Sequence, residues 1–422
     1  MLFRKTLTMC AVALLAIGTS AFAQDATTPL LGLLAADDEN CGKDVADTAG
    51  CEPRDNSWLN PDMTAVKNRV KVGFGIKTSF VSREGDPIGT ANPRGIGRQR
   101  DFGLDNARIF LSGNISDKIS AFLHTDINNA QGWSVAGASP DPAGNGDGLR
   151  ILDAAIDYKL FDQVSVMAGR FLPSTDRSNL SGPMFINAWE FPFVQHNNGY
   201  YDIFQGRDDG VTLYGETGED VQLKWSVGVF EGHNTATTGN DDLWLVARAV
   251  LNFLDKEEGY FNQSTYYGEK DIAAVGFTFS NQDDAHGAGL DYTSWSLDFL
   301  YERPLDSGGV ITAEAAYYDR DDDNAAVGNG RQGEGYFILG SYLFADSLSI
   351  GNLEGRLQPS IRYQESDRDD PQAGDREHQV DYSLNYIIHG HSARVSLVFQ
   401  DINAVGSADH QQNMIIGGQV RF

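Results

Sequence analysis

From Arg69 the chain alternates apolar and polar positions. Val70, Val72, Phe74, Ile76, Thr78 and Phe80 interleave with Lys71, Gly73, Gly75, Lys77 and Ser79. Successive side chains of a strand point to opposite faces, whereas a helix would scatter these residues around its axis. The stretch therefore predicts a strand with one apolar and one polar face. The same pattern predicts strands at 69–81, 101–115, 118–128, 149–160, 164–171, 207–216, 221–232, 242–254, 270–281, 291–303, 309–320, 334–344, 355–365, 378–389, 392–402 and 411–422. The clearest outward sets are Leu243, Leu245, Ala247, Ala249, Leu251 and Phe253, then Trp295, Leu297, Phe299 and Tyr301, then Val380, Tyr382, Leu384, Tyr386 and Ile388. The last segment carries Met414, Ile416, Gly418, Val420 and Phe422 on one face, as expected of a strand that closes a barrel with lipid on that side.

Connection lengths point the same way. Ser116-Asp117, 161–163, 304–308 and 390–391 are short, and between them lie long segments at 82–100, 129–148, 172–206, 321–333, 366–377 and 403–410. Outer-membrane barrels alternate short periplasmic turns with long external loops in this way. Two features depart from the pattern. The connection 255–269 falls on the short-turn side yet is long, and Pro359 lies inside a strand, where it removes a ladder hydrogen bond. A soluble sandwich or propeller would need turns every 8–12 residues and would not explain the long–short alternation. The expected fold is all-β: a sixteen-stranded antiparallel transmembrane β-barrel with both termini on the periplasmic side.

The amino terminus fits export. Arg4 and Lys5 precede an apolar run from Leu7 to Ile17 and the small-x-small site Ala21-Phe22-Ala23. The expected organisation is a signal peptide at 1–23, a periplasmic leader at 24–68 and a barrel domain at 69–422. A mean hydropathy of −0.33 and no later apolar run of about 18 residues exclude a helical membrane protein. The formal net charge of −27 argues against nucleic acid as a partner, because phosphate backbones need Lys and Arg. Cys41 and Cys51 survive processing into an oxidising compartment and are candidates for a disulfide; without accompanying histidines they make a poor zinc site. No metal site and no cofactor are expected.

The segment 172–206 is the candidate for function. It carries Phe185, Trp189, Phe191, Phe193, Tyr200, Tyr201 and Phe204, rings that need something to pack on. The reading is a loop folded into the barrel that narrows it, with Phe185, Trp189, Phe191, Tyr200 and Tyr201 as constriction residues; a lid over the mouth is the rival. Strand parity places Lys71, Lys77, Arg108, Lys224, Arg248, Arg356, Arg362 and Arg394 in the lumen, and leaves the face of Arg170 open. Guanidinium forks match phosphate oxygens and ammonium groups act as point charges. Asp126, Asp153, Asp157, Asp298, Glu302, Glu314 and Asp381 share that parity, so the lumen is mixed.

Gly169-Arg170-Phe171-Leu172-Pro173 before this loop and Arg207-Asp208-Asp209-Gly210-Val211 after it resemble the phosphate-selective porin O and P family. The segment from Asp105 to Gly113 and the run Leu245-Val246-Ala247-Arg248-Ala249 are similar to it as well. The resemblance implies a homotrimeric outer-membrane channel of a Gram-negative bacterium whose constriction selects anions such as phosphate. Arg108, Arg170, Arg207, Arg248, Lys71, Lys77 and Lys224 are then the pore-lining and anion-binding candidates. A general, non-selective diffusion porin and a loop-mediated adhesin or receptor are the alternatives. An enzyme is not expected: the eight histidines are scattered and there is no Gly-x-Ser-x-Gly. Acidic runs at the external ends, such as Asp321-Asp322-Asp323, are solvated charges or share divalent cations with outer-membrane lipid and lipopolysaccharide.

Overall fold

The computed structural model describes residues 70–84, 99–127, 149–195, 206–233, 242–323, 332–369, 371, 376–405 and 410–422. The expected signal peptide at 1–23 and leader at 24–68, with Cys41, Cys51, Tyr200 and Tyr201, lie outside the described residues. The strands are β1 (Val70–Glu84), β2 (Gln99–Asn114), β3 (Ile119–Ile127), β4 (Leu149–Phe161), β5 (Val164–Phe171), β6 (Asp208–Thr217), β7 (Gln222–Phe230), β8 (Trp244–Asn252) and β9 (Ile272–Gln282). They continue with β10 (Tyr292–Pro304), β11 (Val310–Asp322), β12 (Gly333–Leu343), β13 (Ser347–Ile350), β14 (Leu353–Arg368), β15 (Arg376–His389), β16 (Ala393–Ala404) and β17 (Gln411–Arg421). Each strand pairs with its sequence neighbours, and β1 pairs with both β2 and β17, so the sheet closes on itself. Closure leaves no free edge, which is what a sheet in lipid requires. Sixteen of the strands coincide with the sixteen expected; β13 is a four-residue addition inside the turn between β12 and β14.

Alternation sets the two faces. On β8, Trp244, Val246, Arg248, Val250 and Asn252 are buried inside, while Leu245 and Leu251 face out. On β10, Trp295, Leu297 and Phe299 face out and Asp298, Leu300 and Glu302 face in. The outer surface is an apolar band; the inner surface is polar and charged, the arrangement of a barrel with lipid outside. Tyr386 keeps the expected outward parity but is covered rather than exposed, its ring lying over Gly355 and its hydroxyl donating to Leu348 O and Leu353 O of the β13 turn. Pro359 sits where the pairing of β14 with β12 has just ended, at Ser341–Ser360, so its missing N–H falls where the ladder to β12 has stopped. At the seam, Phe74 and Phe422 exchange backbone hydrogen bonds of 2.7 and 3.0 Å.

Candidate functional site: a lumen filled from both ends

The loop after β5 turns inward at once. Pro173 cannot continue a central strand. Asp176 then caps a single helical turn, Arg177–Ser181, by accepting from Asn179 N at 2.8 Å, and Gly182 ends it with φ of 69°. Positive φ is ordinary for glycine and strained for a side chain with Cβ. From there the chain crosses the lumen. Thr278 of β9 donates to Ser174 O and Ser296 of β10 to Thr175 O. Further on, Asn187 donates to Ser341 of β12, and Phe193 N donates to Gln364 of β14. Met184, Ile186, Ala188, Trp189, Phe193 and Val194 are all buried. The inward-folded loop expected from the aromatic content is therefore present through residue 195.

An irregular segment leaves carbonyls that must find donors when buried. Here luminal cations supply them. Lys77 Nζ donates to Pro183 O at 3.2 Å and Trp189 O at 2.6 Å. Arg394 donates to Ile186 O, Asn187 O and Ala188 O at 3.0–3.1 Å. Gln419 donates to Met184 O, and Arg362 to Glu190 O. The Trp189 ring lies 4.3 Å from Lys77 Nζ and 5.6 Å from the Arg394 guanidinium, and the Phe185 ring 4.5 Å from that of Arg421. The rings thus pack on cations. Phe191 is half-buried.

We expect Arg394→Met or Lys77→Met to leave the barrel assembled but the loop loose. Each buried carbonyl left without a donor costs about 1–3 kcal/mol. Open-channel noise and cleavage of the loop by added protease should both rise. Unchanged noise and protection in both variants would mean that the loop is held elsewhere.

The long connection between β8 and β9 also enters the lumen, from the opposite end. Its residues Glu257, Tyr260, Asn262, Ser264, Thr265 and Tyr266 are buried. Tyr260 donates to Leu172 O at 2.8 Å, Ser264 N to Phe185 O at 3.2 Å, and Asn262 to Arg177 O at 3.2 Å. Arg177 grips Glu257 with bonds of 2.8 and 2.7 Å and reaches Gln263 O. Glu302 of β10 collects Tyr266 N, Gly268 N and the Thr265 hydroxyl, which holds Tyr267 at a φ of 54°. His391, in the turn between β15 and β16, bonds Thr265 O at 2.8 Å and stacks against Phe185 and Tyr267. Burial pushes this imidazole down to about 4, so it is neutral at pH 7 and donates through Nε2–H. In the sequence, 255–269 stands out only as too long for a turn. Its Glu257, Asn262 and the tyrosines Tyr260, Tyr266 and Tyr267, two of them buried and one half-buried, are the signal that it packs on something.

The luminal arginines are mostly paired. Arg108 meets Asp126 at 2.9 Å, Arg207 meets Asp153 at 3.1 Å with His124 on the same carboxylate, and Arg248 meets Asp298 at 2.5 Å. Arg362 meets Asp381 and Arg320 meets Asp322, each at 2.7 Å. By contrast Lys77, Lys224, Arg376, Arg394 and Arg421 form no ion pair with a carboxylate among the described residues. Arg170 is not in the lumen. It shares the outward parity of the exposed Ala168 and forms a bidentate pair of 2.7 Å with Asp209, outward on β6, because Met167 and Phe171 take the inner positions. Lys71 is exposed at the short-turn end of β1, and Arg356 spends its donors on Phe344 O and Gly308 O in the turns.

Comparison with known proteins agrees with this architecture. Residues 86–251 match the family described as phosphate-selective porin O and P. The anion-selective porin from Comamonas acidovorans has a similar fold, with a TM-score of 0.51 at 12% identity, covering 84% of this chain and 99% of that one. OmpF of Salmonella typhi, solved with daunomycin, gives 0.50 at 11% identity over 84% and 97%. A 96-residue stretch is also 28% identical to a glucosyltransferase of Escherichia coli, over 22% of this chain and only 37% of that protein's length. A closed barrel of sixteen spanning strands, a polar lumen narrowed by its third long loop and a family match across that loop converge: the chain is an outer-membrane porin of the Gram-negative type, carrying the phosphate-selective porin O and P pattern over residues 86–251.

Proposed function

We propose that this porin passes small anions, phosphate among them, by passive diffusion, without catalysis. The observation that carries the reading is the set of cations on the β1, β15, β16 and β17 wall that have no carboxylate ion pair among the described residues: Lys77, Arg376, Arg394 and Arg421. Selectivity follows the sign at the narrowest ring rather than net charge, and acids at the mouth are screened within about 8–10 Å. Lys77 and Arg394 are 3% and 1% exposed, so they act on a passing ion through the field of the loop they hold, not by contact. The paired state of Arg108, Arg207 and Arg248 favours a second reading, a weakly selective pore for mixed solutes.

The homotrimer belongs to the same proposal. An Arg170–Asp209 pair on the outer wall is costly against lipid, and a neighbouring protomer would cover it. Outer-membrane lipid and lipopolysaccharide would surround the remaining wall. The mature chain would begin after Ala23. Reversal potential in planar bilayers under a potassium chloride gradient tests the reading, followed by titration with phosphate. Anion preference with block by phosphate is the expected result. Cation preference without block would remove anion selectivity and leave the porin fold in place.

A further inference from the structure

Between the β7–β8 wall and the inserted turn lies a cavity of about 20 Å³, lined among others by Lys224, Ser226, Arg248, Glu257, Tyr260 and Asn262. That is room for one water-sized group. Lys224 is 8% exposed and has neither a hydrogen bond nor an ion pair among the described residues. The carboxylates nearby are already committed. Glu257 accepts from both Arg177 amines and from the Tyr266 hydroxyl. Asp298 accepts from both terminal amines of Arg248, whose Nε is left buried without a partner. One cavity is therefore lined by an ammonium with no direct partner and a guanidinium with an orphaned N–H, with the Glu257 carboxylate acting on the ammonium only at longer range. A buried charge without a partner is costly.

We infer that this cavity is a binding site for one monatomic anion of the halide class, held by Lys224 beside Arg248 and bordered by Glu257, Gly259, Tyr260 and Asn262 of the inserted turn. Its size sets the class: a tetrahedral oxyanion carries four oxygens and does not fit a space for one water-sized group. A water could accept the hydrogen bonds but would leave the Lys224 ammonium without an anion in direct contact. Leu180, Val250 and the Tyr260 ring supply apolar walls, which suit a weakly hydrated ion. The site is a fixed part of the plug, and the inference does not depend on which ions the channel passes. It joins the inserted turn to the wall through an ion, beside the direct bonds of Gln222 to the Glu257 backbone.

The test uses the full-length protein crystallised with sodium bromide in place of chloride. An anomalous peak within hydrogen-bonding distance of Lys224 Nζ is expected in the wild type, and its loss in Lys224→Met. Phosphate added in excess should not displace it. A wild-type map without the peak overturns the inference whether or not the variant folds. So does a peak that persists in Lys224→Met, or one displaced by phosphate. In detergent solution the melting temperature of the wild type should rise with bromide over gluconate, and that of Lys224→Met should not; equal rises would also count against the site. Bromide at Lys224 in a channel that prefers cations would uphold this site while the proposed selectivity fails.

Discussion

Replacing residues 183–194 by a short glycine–serine link, with Arg177 and Arg207 kept, is expected to raise single-channel conductance several-fold. The narrowest section dominates the resistance of a wide tube, and these residues cross the lumen from β5 to the β14–β17 wall. The barrel should still assemble, because its closure rests on strand pairing and the β1–β17 seam. The cations freed by the deletion, Lys77 and Arg394 above all, would then face water. Anion preference should therefore persist or increase as conductance rises. Conductance equal to wild type would place the narrowest section elsewhere.

Glu257→Ala should have the second-largest effect. Arg177 and Glu257 are 2% and 1% exposed, so removing one partner leaves a buried charge alone, a loss of about 3–5 kcal/mol. The inserted turn would lose its main hold on the loop. Chemical denaturation should show a lower midpoint, and bilayer records should show frequent steps to larger conductance. The same pair gives a pH dependence. Burial by itself would raise the Glu257 carboxyl, but the Arg177 charge and its hydrogen bonds outweigh it and hold the group at about 2. Its folded value thus lies below the ordinary value of about 4.3. The stabilisation is fully present above about pH 4.3 and is lost as pH falls through 2. Steps to larger conductance should appear in that acid window for the wild type, while Glu257→Ala should already show them at pH 7. A variant that behaves as wild type at both pH values would remove the latch.

The spanning strands were legible because a barrel wall in lipid enforces period-two alternation along its whole length. A one-residue slip would turn every apolar side chain inward. β13 escaped because it is only four residues long and all of them are exposed, too short a run for its Ser-Leu-Ser-Ile alternation to stand out from a turn. Parity alone placed Lys77, Arg108, Lys224, Arg248, Arg362 and Arg394 inside, and the structure agrees. What parity could not give is the partner of each. Arg248 of β8 reaches Asp298 of β10, a pairing fixed by the register of two neighbouring ladders that sequence does not specify. For that reason cations read as anion contacts are in part the supports of a loop or halves of ion pairs. Arg170 was ambiguous in sequence because its outward partner, Asp209, lies across a loop of more than thirty residues.

The meeting of the external loop with the inserted turn inside the barrel is the claim on which the rest depends. Ser181 and Ser264 have their hydroxyl oxygens 3.3 Å apart at that meeting point. The double variant Ser181→Cys, Ser264→Cys, oxidised in intact cells and digested after extraction, measures it directly by mass spectrometry. A disulfide-linked peptide pair joining positions 181 and 264, in a barrel that migrates as wild type, is the predicted result. Two thiols that stay free and react with a small alkylating reagent would contradict a lumen filled from both ends.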